Sequence, residues 1–225
     1  MTHHIRTRKV FSRTARRHPA LSRATRNSLE LGHRARGAAS RVDRSHLPPE
    51  DWHEPNEAVP AGYRIRVYPP GAGYIHVVTP EEIRDRLAQL PRHMVDSLEV
   101  VQLSRMTRKK KTFPCYGMQW GSAIYLYPLE ATLVEEFAKP PRPAEFIEAR
   151  MYGGRWVQEG EAWKLVWTRD SIRDFYLNNV LLHELGHVID SRNAKSRDRE
   201  RFAEWFAIAY GYLPSRRGSM LKPRR

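Results

Sequence analysis

The sequence predicts an α+β fold, with a small mixed sheet followed by two helices. Three observations point there. Short apolar or alternating runs, bounded by Gly and Pro, fill the stretch from Gly62 to Trp167. From Asp170 to Tyr210 there is no proline, and Gly186 is the only glycine, so long helices can run there. The strand-like and helix-like segments come in blocks instead of alternating.

Tyr63–Tyr68 alternates apolar and polar residues, as a half-buried strand does. Pro69, Pro70, Gly71 and Gly73 make a turn, and Tyr74–Val78 reads as the strand returning from it. Thr79, Pro80 and Glu82 supply a cap, a proline in the first turn and a carboxylate three residues after the cap. They open a short helix that stops before Pro91. Leu98–Leu103 and Ser122–Tyr127 read as strands, separated by the basic loop Arg108, Lys109, Lys110, Lys111. Glu145–Met151 and Ala162–Trp167 read as strands around the Gly153–Gly154 turn. Trp156, Trp163 and Trp167 are spaced for the core of that sheet. Asp170 or Ser171 caps a helix to about Asp190, and a polar turn follows over 191–196. A second helix runs from about Arg197 to Tyr210 and ends near Gly211 and Pro214.

The 225 residues suffice for one domain of ordinary size. Residues 1–46 hold 12 Lys/Arg against 2 Asp/Glu, and 215–225 hold 5 Lys/Arg and no acid. The span 47–214 therefore carries only −1 of the net +14. This divides the chain into a basic, mostly disordered region at 1–58, a domain at 59–214 and a basic tail at 215–225. Pro48, Pro49, Pro55 and Pro60 mark the linker between the first two. No apolar run approaches the length of about 20 that a membrane crossing needs, and no apolar segment follows the basic start as in a secretory signal. Cys115 is the only cysteine, which excludes an internal disulfide and fits a reducing, cytoplasmic setting.

The chemistry concentrates in His183-Glu184-Leu185-Gly186-His187. Histidines four apart on a helix leave the same face one turn apart, so both imidazoles can reach one tetrahedral zinc ion. Glu184 then stands beside them as a base for a zinc-activated water, and Gly186 leaves room for close packing. Leu181, Leu182, Leu185, Val188 and Ile189 make this helix a buried one. No histidine follows His187, so a downstream third ligand must be acidic: Asp190, Asp198, Glu200 or Glu204. In an antiparallel helix hairpin turning near 193–194, His187 faces Glu200 and His183 faces Glu204. Glu200 is then the ligand, and Glu204 accepts the outer N–H of His183.

The segment Arg199–Ala207 resembles the glutamate-ligand helix of gluzincin metallopeptidases. Aminopeptidase N-type members carry Asn-Glu-Gly-Phe-Ala there. Thermolysin-type members carry Asn-Glu-x-x-Ser-Asp, and small bacterial and phage-type members Glu-x-x-Ala-Asn-x-Phe-Ala. The resemblance covers about residues 176–210. It implies a zincin-like fold and one zinc ion per chain held by His183, His187 and Glu200. It also implies Glu184 as the general base and Glu204 behind the ligands. This chain has Arg199 where the larger enzymes have asparagine, and only 12 residues separate His187 from Glu200. Tyr210 and Tyr212 are candidates for the group that stabilises the transition state.

A zinc metallopeptidase acting on a peptide or protein substrate is the resulting expectation. An extended substrate would lie on a free strand edge, for which Gly121–Tyr127 is the candidate. The alternative is a nucleic-acid-associated protein with a structural or vestigial zinc site. It would bind through its basic ends and Arg108, Lys109, Lys110 and Lys111. A purely structural site has no use for Glu184. A hydrolase acting on another bond class would use the same activated water.

Overall fold

A computed structural model describes residues 49–54, 62–112 and 114–220. The expected disorder before residue 49, most of the proline linker and the last five residues lie outside them.

β1 (Arg64–Val67) pairs in parallel with β3 (Val100–Leu103), which pairs in parallel with β5 (Ala123–Leu126). β4 (Gly117–Trp120) closes the edge antiparallel to β5, giving the order β1-β3-β5-β4. Tyr74–Val78 therefore does not return alongside β1. Its β2 (Tyr74–Ile75) pairs instead with β6 (Leu129–Glu130). Parallel neighbours need a crossover, and α1 (Pro80–Ala88) supplies the one between β1 and β3. Its predicted capping box is present: the Glu82 N–H donates to Thr79 Oγ1, and the Thr79 N–H donates to the Glu82 carboxylate. The segment Gly121–Tyr127, expected at a free edge, lies inside the sheet. β4 holds the edge instead.

A second sheet has the order β7-β9-β8, from β7 (Val134–Phe137), β8 (Arg155–Glu159) and β9 (Ala162–Val166), all antiparallel. The β8–β9 hairpin turns at Gly160, whose φ of 58° suits glycine. Trp167 is buried, and Trp156 and Trp163 pack half-buried on the same core. Glu145–Met151 is helical, not extended. It belongs to α3 (Pro143–Met151), where Pro143 opens the first turn and the Arg142 N–H donates to Glu145 at 2.8 Å. The expected basic loop is also a short helix, α2 (Arg108–Thr112), begun by Thr107 Oγ1 accepting from the Lys110 N–H.

Two long helical rods complete the fold. The first joins α4 (Arg169–Phe175), a π-helical segment at Tyr176–Val180 and α5 (Leu181–Ile189). Its cap is Thr168, one residue before the helix, and not Asp170 or Ser171; Thr168 Oγ1 accepts from the Ser171 N–H. The second joins α6 (Ser196–Phe206), a π-helical segment at Ala207–Tyr212 and α7 (Leu213–Met220). It does not end at Gly211 or Pro214. Pro214 lies inside the rod, and the Tyr210 carbonyl four residues before it, which a proline cannot bond, accepts from Arg86 instead. Arg216 docks that last helix by donating to Asp174 at 2.6 Å and to the Met151 carbonyl at 3.2 Å.

The rods touch backbone-close at two places. A β-carbon on Gly186 would meet Ala203 Cα at 2.9 Å, and one on Gly211 would meet the Asn178 oxygen at 1.9 Å. The numbers of each facing pair sum to 389, two beyond the register expected from the sequence. Val101, Leu103, Ile124 and Leu126 turn one sheet face into the core with Leu181, Leu182 and Leu185. The opposite face, around Val100, Ala123 and Tyr125, is strapped by residues 49–54. There the His53 N–H donates to Tyr125 Oη at 2.7 Å, and Gln102 donates to the Asp51 carbonyl at 3.1 Å.

Candidate metal centre

α5 carries Leu-Leu-His-Glu-Leu-Gly-His and is buried over nearly its whole circumference, packed beneath β4. Gly117 makes this packing possible. A β-carbon there would stand 2.7 Å from Val180 Cγ1 and 2.9 Å from Glu184 Oε1. The strand has given up a side chain so that a carboxylate can lie against it.

His183 and His187 project from one face, with their Nε2 atoms 3.1 Å apart. Glu200 reaches across from α6, placing one oxygen 3.7 Å from His183 Nε2 and the other 3.5 Å from His187 Nε2. Ligands of a tetrahedral zinc ion with bonds of about 2.05 Å stand about 3.3 Å from one another. The three separations bracket that value. His183, Glu184 and His187 are buried, and Glu200 is largely so. Burial, His183 and Arg199 push the His187 imidazole down to about 2. It is therefore neutral at any ordinary pH, the form that binds a metal. Glu200 Oε2 is buried without a hydrogen bond, as an atom waiting for a ligand would be. By donor set, spacing and unmet valence, these residues fit a zinc ion.

Glu184 is fully buried beside them, near the Gln119 backbone but without a well-formed hydrogen bond to either oxygen. Burial and then the Glu200 carboxylate push it well above the usual carboxylate range. The Gln119 backbone and Lys110 pull it back only in part. Such a carboxyl has a high affinity for a proton.

Compared with known proteins, the chain matches no family model, no curated protein and no solved structure. The centre is thus read from its own geometry.

The remaining sequence candidates fall in several places. Glu204 lies one turn beyond Glu200 on α6, half-buried. Tyr210 packs its ring against Phe206 and Trp205, and Tyr212 packs against Tyr152 and Arg216. In the basic run, Lys110 is buried, with Nζ 3.2 Å from Cys115 Sγ and 4.1 Å above the Tyr127 ring. Lys111 lies over the Tyr74 ring, and Arg108 and Lys109 share α2 with them. Asp190, weighed as a ligand, ties the α5–α6 loop by accepting from the N–H groups of Arg192 and Asn193 and from the Asn193 amide.

Arg199 is a residue whose role the sequence did not disclose. Its guanidinium donates to the Asp190 carbonyl at 2.7 Å and the His187 carbonyl at 2.9 Å. It thereby satisfies the C-terminal carbonyls of α5 from the residue next to Glu200. The two ligand-bearing helices are clasped within one residue of each ligand. The visible signal was an arginine in an otherwise apolar-facing position, and nothing in the sequence named its acceptors.

Proposed function

We propose that this chain is a zinc-dependent metallopeptidase of zincin-like architecture, with one zinc ion held by His183, His187 and Glu200. The observation that carries this reading is the convergence of three ligand atoms, all within 4.8 Å of one another, beside the buried Glu184. A zinc ion bound there supplies Lewis acidity, polarising a carbonyl and lowering the pKa of a coordinated water to about 7. Glu184 takes the proton at its carboxylate and returns it to the departing amine, the role its high proton affinity suits. Leu181, Leu182 and Leu185, fully buried on the side of α5 away from the histidines, anchor the helix in the core and so fix the direction of both imidazoles. β4, at the sheet edge above α5, is where an extended peptide would add as a further strand. Arg199 and Asp190 fix the loop between the helices that carry His187 and Glu200. Glu204 supports the ligands from behind.

Among the described residues no helix is long and apolar enough to cross a membrane. With a single cysteine, a cytoplasmic setting fits this reading. The test pairs metal analysis with hydrolysis. Wild-type protein binds about one zinc per chain and cleaves an unstructured protein substrate. Glu184→Gln keeps the metal and loses turnover, and His183→Ala loses both. Protein that takes up no zinc at neutral pH, or a Glu184→Gln variant that still hydrolyses at the wild-type rate, overturns the proposal.

A further inference from the structure

A pocket of about 400 Å³ opens directly beside His187, between the β4–β5 turn and the α5–α6 loop. Gln119 and Gly121 form one wall and Val188, Asn193, Arg192 and Arg199 the other. An extended peptide on β4 with its scissile bond at the metal centre would place a neighbouring residue here.

The charge in this pocket is unbalanced. Arg199 is buried, and its two terminal nitrogens are spent on neutral carbonyls. Its Nε is buried without a hydrogen bond, and no described carboxylate pairs with it. The one acid in the wall, Asp190, is already occupied by amide donors from Arg192 and Asn193. Arg192, an exposed residue of the same wall, adds a second guanidinium, which lies 5.5 Å over the Phe202 ring. Two guanidiniums share this wall with one carboxylate, so it carries a net positive charge that an arriving anion balances. The planar guanidinium also matches a carboxylate in shape.

We infer that this pocket binds a carboxylate of the substrate, with Arg192 as the contacting residue and Arg199 as the balancing charge. The enzyme then selects peptides with an acidic residue beside the cleaved bond, or with a free C-terminus at that position. The inference rests on the peptidase reading for its substrate but not for its binding chemistry.

The experiment uses zinc-loaded full-length Glu184→Gln protein and short peptides differing only by Glu against Gln, or by a free against an amidated C-terminus. Binding is read by calorimetry, and cleavage of the same peptides is read with wild type. A Glu or free-acid peptide should bind about ten-fold tighter than its neutral match, less so at high salt. Arg192→Gln should erase the difference, and Arg192→Glu should reverse it in favour of Lys peptides. Which pair shows the effect separates a side chain from a terminus. Equal binding of matched peptides to the wild-type pocket overturns the inference, even if all are cleaved. An Arg192-dependent preference without cleavage by wild type upholds the pocket and overturns the peptidase reading instead.

Discussion

Gly211 lies so close to the main chain of Asn178 that a β-carbon on it would stand 1.9 Å from the Asn178 carbonyl oxygen. The contact joins the two π-helical segments and fixes how far α6 slides along α5, and so where Glu200 meets the histidines. Arg86 braces the same junction by donating to Asn178 Oδ1 at 2.6 Å and to the Tyr210 carbonyl. Gly211→Ala must push backbone from backbone and should cost at least about 3 kcal/mol. It should weaken zinc binding as well, because the ligand on α6 moves with its helix. Unfolding and zinc titration of the variant check both effects. A Tm within one degree of wild type would show that the rods slide freely.

The two glutamates of α6 should separate cleanly. Glu200→Ala removes a ligand and should abolish tight zinc binding. Glu204→Ala should weaken it by about 10- to 100-fold, the usual effect of a group supporting a ligand. Competition against a fluorescent chelator measures both. The reverse order of losses would move the ligand one turn along the helix.

Glu184 and His187 should give the metal-free protein opposing pH dependences of stability above pH 4.5. His187 has its folded-state value depressed to about 2 against an ordinary 6.5. It therefore contributes stability above 6.5 that is lost as pH falls, because the unfolded chain takes up a proton first. Glu184 has its value raised above an ordinary 4.5, so its contribution is full below 4.5 and is lost as pH rises toward its folded value. Where the two windows overlap, from 4.5 upward, the slopes oppose, so stability should change less with pH there than below 4.5. Urea unfolding of chelator-treated protein across pH reads the profile. Glu184→Gln should remove the falling contribution and leave stability rising with pH up to about 6.5. A variant that keeps the wild-type profile would assign that contribution to another group.

Arg216 lies in the basic stretch expected from sequence to be a free tail, yet it is bonded to Asp174 and Met151 and lies over the Tyr152 and Tyr212 rings. Arg216→Ala should lower stability by about 1–2 kcal/mol through the lost charge-assisted bond. Thermal unfolding at low and high salt checks it. An unchanged Tm would mean that the aromatic contacts hold α7 without the arginine.

The metal constellation was legible because it is local: His183 and His187 belong to one helix, and Glu200 follows after one short turn. β1, β3, β5 and β9 were legible from apolar runs, and α1 from its capping residues. The pairing of strands was not, since a parallel β1–β3 partnership is a non-local fact that a turn-like Pro-Pro-Gly run disguises. Glu145–Met151, expected as a strand beside the Gly153–Gly154 turn, is helical, and its apolar Phe146 and Ile147 are exposed at 41% and 58%. β4 escaped notice because it is short and begins with Gly117, whose purpose appears only when Glu184 lies against it. Arg199 was visible as a departure from the gluzincin pattern, but its acceptors are backbone carbonyls, which no residue type announces.

Both rods place their two close contacts eight residues apart: Asn178 and Gly186 on one, Ala203 and Gly211 on the other. In a regular α-helix, eight residues overshoot two full turns by about 80°, which would point one of the contacts away from its partner. Seven residues fall within about 20° of two turns, and a π-segment is the device that hides the eighth. Each rod therefore carries one residue more than its facing surface requires. A deletion within Tyr176–Val180 would shorten that rod by one residue while leaving His183 and His187 facing Glu200. The same loss between His183 and His187 would swing one imidazole away from the other by about 100°. The tolerance of this chain to length change is thus confined to one stretch of each helix, and it borders the residues that tolerate change least.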